Sequence, residues 1–269
     1  MKIKKALQPK IILRASSYKD VEGIDIDKAD TLSLYLNKGN LTYLSKININ
    51  KEVYTSNAAT DEDLSEYYNL LCEYGDAIDS IEISELGAYQ KLKSFDKKIY
   101  ASYMMNIFNS EAAKYMSESH FSGFTYSLEM TLALMEKIMN YGLETRLWVY
   151  GYPVVMMSKA CPLANIRDDC DQRCDACPIN KANELVYEDK ERFIFTRANN
   201  YTKIYNSQKI FMLDKMDDIK KLGVGSIIID LDNESDKKKI NEYIERINNG
   251  DGIDAIESFT RAHYYKKVL

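Results

Sequence analysis

Four cysteines, Cys161, Cys170, Cys174 and Cys177, fall within seventeen residues of a chain that holds five in all. Spacers of eight, three and two residues separate them, and the segment carries neither a helix nor a strand period. Cysteines used as small buried hydrophobes are scattered. Cysteines gathered in one irregular segment are better explained as ligands whose sulfurs converge on one point. Four thiolates satisfy a tetrahedral Zn²⁺ or hold an iron–sulfur cluster. Zinc ribbons show two separated Cys-x-x-Cys knuckles, and only the pair Cys174 and Cys177 has that form. Cys161 and Cys177 are each followed by proline, as the last ligand is in one ferredoxin pattern. That favours a 4Fe-4S cluster, with zinc as the alternative. Two disulfides in an exported protein would also use four cysteines. However, the opening residues have positive charge with no apolar run behind them, so no signal peptide is read. The expectation is a cytoplasmic protein with reduced thiols.

Composition bounds the rest. At 269 residues the chain can bury a full core. A net charge of −5 argues against a bulk nucleic-acid binder, DNA included. No stretch approaches the ~20 apolar residues of a membrane span. With two histidines, His120 and His263, and no His-Glu-x-x-His, a zinc-protease helix is excluded. There is no Gly-x-Ser-x-Gly elbow and no Gly-x-x-x-x-Gly-Lys phosphate loop.

The elements that must position these residues alternate. Strands are read at 10–16, 31–36, 53–56, 81–83, 98–104, 123–126 and 145–150. A Thr60/Asp63 capping box opens a helix over 61–74 with Leu64, Tyr68, Leu71 and Cys72 on its inner face. Further helices are read at 110–117 and from Leu134 to Gly142, the latter with Leu134, Met135, Ile138 and Met139 inward. After the cysteines come a hairpin (184–188 and 192–196), a third strand (201–205), a helix (214–222), a buried strand (226–230) and an amphipathic helix (236–248). Alternating strand and helix with short connections predicts a parallel sheet with helices outside, open or closed as a barrel. In such folds functional residues collect at the carboxyl ends of strands. Glu85, Asn106, Asn109, Ser127 and Glu129 sit there. Two regions are expected: strand–helix repeats over 1–155, and a cysteine-rich loop with a C-terminal α+β extension over 156–269.

Seven short stretches, in order, resemble the collagenase-like peptidase family U32. They are Ile83-Ser-Glu-Leu-Gly-Ala88, Ala101 through Ser110, Thr125-Tyr-Ser-Leu-Glu129, Val149 through Met156 followed by Cys161-Pro, Tyr187-Glu-Asp-Lys190, Ile204-Tyr-Asn-Ser207, and Phe259 through Tyr265. The resemblance implies a TIM-like barrel, partial or complete, and a four-cysteine cluster at Cys161, Cys170, Cys174 and Cys177. It also implies kinship with iron–sulfur proteins that take part in hydroxylation of RNA bases or ubiquinone precursors, and with members described as collagenases. The family's opening strand has no counterpart here. Room for five or six strands before the cysteines leaves the barrel to be completed by a partner chain or a further segment.

Three functions follow as expectations. In a cluster-dependent hydroxylase, or a subunit of one, Glu129 and Asn106 are catalytic. Glu85, Asn109, Ser127, Tyr150 and His263 bind a small aromatic molecule or RNA. Ser127 and Asn109 read equally well as turn and cap residues. A peptidase would need an activated nucleophile or a metal-bound water. A zinc-stabilised binding module would need neither.

Overall fold

The computed structural model describes residues 8–162, 164, 183–188, 190–198 and 201–266. Three of the four clustered cysteines, Cys170, Cys174 and Cys177, lie outside the described residues.

Eight parallel strands close into a barrel. In chain order they are β1 (Lys10–Ala15), β2 (Thr31–Tyr35), β3 (Asn50–Tyr54), β4 (Ser80–Ile83), β5 (Lys98–Ala101), β6 (Gly123–Thr125), β7 (Glu144–Gly151) and, after a long excursion, β13 (Ser226–Asp230). Each pairs with the next in parallel, and β13 pairs with both β7 and β1. The expected shortage of strands is therefore corrected: seven precede the cysteines. The eighth comes from the region read as an extension, so the chain's own residues complete the ring. The strands read as near-continuous buried runs because helices cover one face and the barrel interior the other.

Helices follow most strands: α1 (Lys38–Leu44), α2 (Asp61–Tyr74), α3 (Leu86–Leu92), α4 (Ser110–Glu118), α5 (Leu132–Met135), α6 (Met216–Leu222) and α7 (Lys237–Asn249). The capping box of α2 is present as read: Thr60 Oγ1 accepts from Asp63 N–H, and Asp63 accepts from Thr60 N–H at 2.7 Å. Its inward face is corrected, however. Tyr67, Leu70 and Leu71 are buried, whereas Cys72 is exposed and Tyr68 largely so. The helix read from Leu134 to Gly142 is a single turn, α5. Met135 is buried against the core but Leu134 and Met139 are exposed. Beyond it the chain is irregular until Tyr141 and Gly142 take left-handed backbone, and β7 begins two residues later. Among the described residues no helix is long and apolar enough to cross a membrane.

The excursion between β7 and β13 builds a four-stranded antiparallel sheet in the order β8 (Val154–Ser158), β11 (Tyr201–Tyr205), β10 (Glu191–Ala198), β9 (Asn183–Tyr187). A two-residue strand, β12 (Ile210–Phe211), then pairs antiparallel with the end of β7. The excursion leaves the barrel at Gly151, whose φ is +121°. A Cβ there would stand 2.7 Å from Asp230 Cβ and 2.8 Å from its carbonyl oxygen. Only glycine supplies both the backbone conformation and the clearance.

Gly151→Ala should therefore lower stability by about 2–4 kcal/mol, combining left-handed strain with overpacking. Urea unfolding followed by far-ultraviolet circular dichroism checks this, and a loss under ~0.5 kcal/mol contradicts the close approach.

Candidate active site at the barrel mouth

The barrel interior is charged. Arg14 on β1 reaches across to Glu82 on β4, and its Nε lies 3.6 Å from Asp230 on β13. Its guanidinium stacks 3.6 Å above the Tyr54 ring. One layer toward the amino ends, Arg146 on β7 donates to Glu52 on β3 at 2.8 Å and stacks 3.3 Å over Tyr100. Glu52 also accepts from Ser33 and Ser80, and Glu82 from Thr125. Burial works against both guanidinium charges, but the facing carboxylates hold them protonated, Glu82 for Arg14 and Glu52 for Arg146. These residues come together because period-two alternation turns every second side chain inward. The strand registers also bring them onto one inner surface: Arg14 pairs with Asp230 and Ser33, and Ser33 with Glu52.

Above Arg14 the carboxyl ends of the strands open into a small cavity. Its free volume is about 30 Å³. Arg14, Tyr54, Thr55, Trp148, Asp230 and Asp232 line its barrel side. The antiparallel sheet covers it, contributing Val154 from β8 and Lys203 and Tyr205 from β11. Asp232 is saturated: one oxygen accepts from Ser16 N–H at 2.7 Å, the other from the Ser16 hydroxyl and from Tyr205 at 3.3 Å. Asp230 accepts from Asp232 N–H at 3.0 Å. Burial, then the neighbouring Asp232 carboxylate, push the Asp230 carboxyl well above the usual range, against the opposing pull of Arg14. A carboxyl whose pKa is raised by burial in a charged cavity is a group suited to proton transfer.

The residues singled out from sequence lie around this mouth without lining it. Glu85 follows β4, half-buried, and accepts from Ala59 N–H at 3.2 Å; burial raises its pKa. Asn109 caps α4 by accepting from Ala112 N–H at 2.8 Å, which is the structural role read for it. The buried Ser127 hydroxyl donates to Asn106 at 3.4 Å and accepts from Glu129 N–H at 3.4 Å. Asn106 takes left-handed backbone at φ 52°, and the Glu129 side chain is exposed. Tyr150 is buried and committed. Its hydroxyl donates to Glu234 at 2.5 Å and accepts from Lys209 at 3.2 Å, and burial raises its pKa. His263 is half-buried, and its backbone N–H donates to Leu128 O, tying the C-terminal segment to the Ser127 loop. Cys161 is half-buried with a free thiol. Its approach segment is pinned to the antiparallel sheet, because Thr202 donates to Ala160 O at 2.8 Å and Arg197 to Lys159 O at 3.0 Å.

Sequence reasoning passed over Arg14, Glu52, Glu82, Arg146 and Asp230. Part of the signal was available: Glu82 and Asp230 are each the one charged residue of a short, otherwise largely apolar strand, whereas β1, β3 and β7 each carry a second charge beside Arg14, Glu52 or Arg146.

Two outcomes follow. Arg14→Leu leaves Glu82 and Asp230 buried without their cation and should cost about 3–5 kcal/mol in urea unfolding; a neutral effect contradicts the cross-barrel pair. The raised pKa of Asp230 means that the folded state keeps a proton which the unfolded state releases near pH 4. Its contribution is present below that pH and is lost as pH rises toward the folded value. Asp230→Asn should flatten that part of the decline in unfolding free energy measured above about pH 4. An unchanged slope contradicts the assignment.

The sequence matches the description "Peptidase family U32" over residues 40–248. No curated protein matches it. Among solved structures, the U32 peptidase Mk0906 is 10% identical, with 86% of this chain and 96% of that chain covered at a TM-score of 0.49. The N-acetylmannosamine-6-phosphate 2-epimerase from Clostridium perfringens is 8% identical, with 88% and 93% covered at 0.44. A family GH18 chitinase from Cycas revoluta, in complex with allosamidin, is 9% identical, with 89% and 98% covered at 0.43. The matched span takes in β3 to β13 and the whole excursion that carries the cysteines, and on that span the chain belongs to Peptidase family U32.

Proposed function

We propose that this protein is an iron–sulfur-dependent hydroxylase, or the substrate-binding subunit of one, and that a small aromatic molecule or an RNA base is held at the barrel mouth. One observation carries the reading. A charged and aromatic cavity at the carboxyl ends of the strands lies under the same sheet to which Lys159 and Ala160, just before Cys161, are pinned.

The donor chemistry fits a cluster. Cys161 is free and half-buried, and Cys161, Cys170, Cys174 and Cys177 would be the ligands. When bound, such a cluster supplies electron transfer that the side chains of a barrel do not. The chain's own residues do the rest. Tyr54, Tyr103, Trp148 and Tyr152 offer ring faces and edges to a planar substrate. Arg14, fixed by Glu82, sets the electrostatics of the floor. Asp230, whose carboxyl pKa burial raises, is the group suited to take up or release a proton, and the covering sheet lowers the local dielectric, which strengthens the charges inside. The groups gathered at the mouth suit orientation and proton handling better than they suit a nucleophile with its base, so the peptidase reading ranks second. A zinc-stabilised binding module would use the same four thiolates.

Purification without oxygen, with iron, sulfide and zinc quantified, tests the proposal. Expected are roughly four iron and four sulfide per chain and visible absorption that Cys161→Ser loses. Stoichiometric zinc in a colourless protein overturns it in favour of the binding module.

A further inference from the structure

Two side chains that line the cavity at the barrel mouth carry buried polar atoms without a partner. Thr55 Oγ1 and Trp148 Nε1 are buried side-chain atoms without a hydrogen-bond partner, in residues 0% and 3% exposed. Both residues line this one cavity. Buried polar groups are nearly always satisfied, so two orphans around one space call for a missing partner. The indole N–H can only donate. So can the Lys203 ammonium on the covering sheet, which lies 5.7 Å from the Tyr35 ring and whose charge also acts on the Asp230 carboxyl.

The acceptors nearby are already used. Both oxygens of Asp232 are taken by Ser16 and Tyr205. Asp230 faces Arg14 and the Asp232 N–H, and Glu82 is taken by Arg14 and Thr125. A water molecule filling the space could accept from Trp148 and donate to Thr55 Oγ1, but it would add no negative charge beside Lys203 and Arg14. A cation would meet Arg14 and Lys203 as well as the Asp230 and Asp232 carboxyls, both of which already face donors or cations. What fits is a group with several acceptor oxygens, no hydrogens and negative charge. A free volume of about 30 Å³ suits a small group at the floor of the mouth. The half-buried rim at Asn57, Tyr152 and Lys203 leaves the remainder of the molecule outside.

We infer that the barrel mouth is a binding site for the carboxylate, or a like oxyanion, of a small molecule, held by Thr55, Trp148 and Lys203 over the Arg14 floor. This rests on reading the mouth as the substrate site, and names the group that the site recognises. Lys203 supplies charge from the antiparallel sheet, Thr55 and Trp148 supply direction from the barrel, and the ligand ties the two layers together.

Trp148 is the only tryptophan in the chain, so its fluorescence reports on the cavity alone. The full-length protein is titrated with sodium formate, acetate or phosphate at constant ionic strength, with chloride as the control. A saturable change with formate or acetate is expected, and saturation by phosphate alone assigns a phosphate ester in place of a carboxylate. Lys203→Met and Thr55→Val should each weaken binding at least about tenfold, the size of losing one good hydrogen bond to a charged group, and Lys203→Arg should restore most of it. Lys203 is half-exposed, so its variants remain informative if Thr55→Val misfolds, which circular dichroism would reveal. A response equal to that of chloride, or Lys203→Met binding as tightly as the parent, overturns the inference. A colourless zinc protein that still binds acetate overturns only the hydroxylase reading. An intact cluster with no anion response overturns only this one.

Discussion

The guanidinium of Arg14 spans the barrel from β1 to Glu82 on β4 and reaches Asp230 on β13. A closed eight-strand barrel must fill its own interior, and here the filling is ionic. Such a filling is stable only when each charge meets its opposite and each remaining lone pair meets a donor. Glu52 satisfies this with Arg146, Ser33 and Ser80, contributed by three other strands. The network therefore fixes register as well as closure. A slip of one residue on any of these strands would turn its charge to the apolar outer layer and leave its partners buried alone. Removing one member, at about 3–5 kcal/mol, takes a large share of the 5–15 kcal/mol typical of a domain.

The second constraint is the exit at Gly151. The chain must leave the barrel between β7 and β13, build a four-stranded sheet, and return so that β13 can pair with β7 and β1. Lys209 and Tyr150 meet on Glu234, which joins the end of β7, the strand returning from the sheet and the loop after β13. That arrangement fixes where the sheet sits, and so places Lys203 and Tyr205 over a mouth built by strands far away in sequence. Activity in a barrel lives at this end because loops there vary without disturbing closure. In this chain the variation is an inserted sheet.

Much of this was legible from residues. The alternation of buried runs with amphipathic stretches gave the eight barrel strands and four of the helices but not β8, β12, α1 or α3, and the Thr60/Asp63 box marked the start of α2 as it stands. Asn109 as a cap was equally readable, since capping depends on neighbours within three residues. Failures occurred where length or distant packing decided the outcome. The stretch from Leu134 to Gly142 has a helical apolar pattern, yet the turn at Tyr141 and Gly142 leaves it one turn. Cys72 falls on the wrong side of α2 because the buried face is chosen by what packs against it. Arg14, Glu82 and Asp230 sit in strands that were read correctly, but nothing local says that they face one another.

By itself, then, the sequence determined the local grammar. It set which runs extend and which coil, where helices begin, and that four thiols lie close enough in the chain to share an inorganic centre. These depend on interactions within a few residues. Only the tertiary structure decided that eight strands close on one another, that 226–230 supplies the last of them, and that Thr55, Trp148 and Lys203 surround one cavity. Those three residues are separated by more than fifty positions at least. Closure sets their convergence through register and the cross-barrel ion pairs, neither of which leaves a trace at short range.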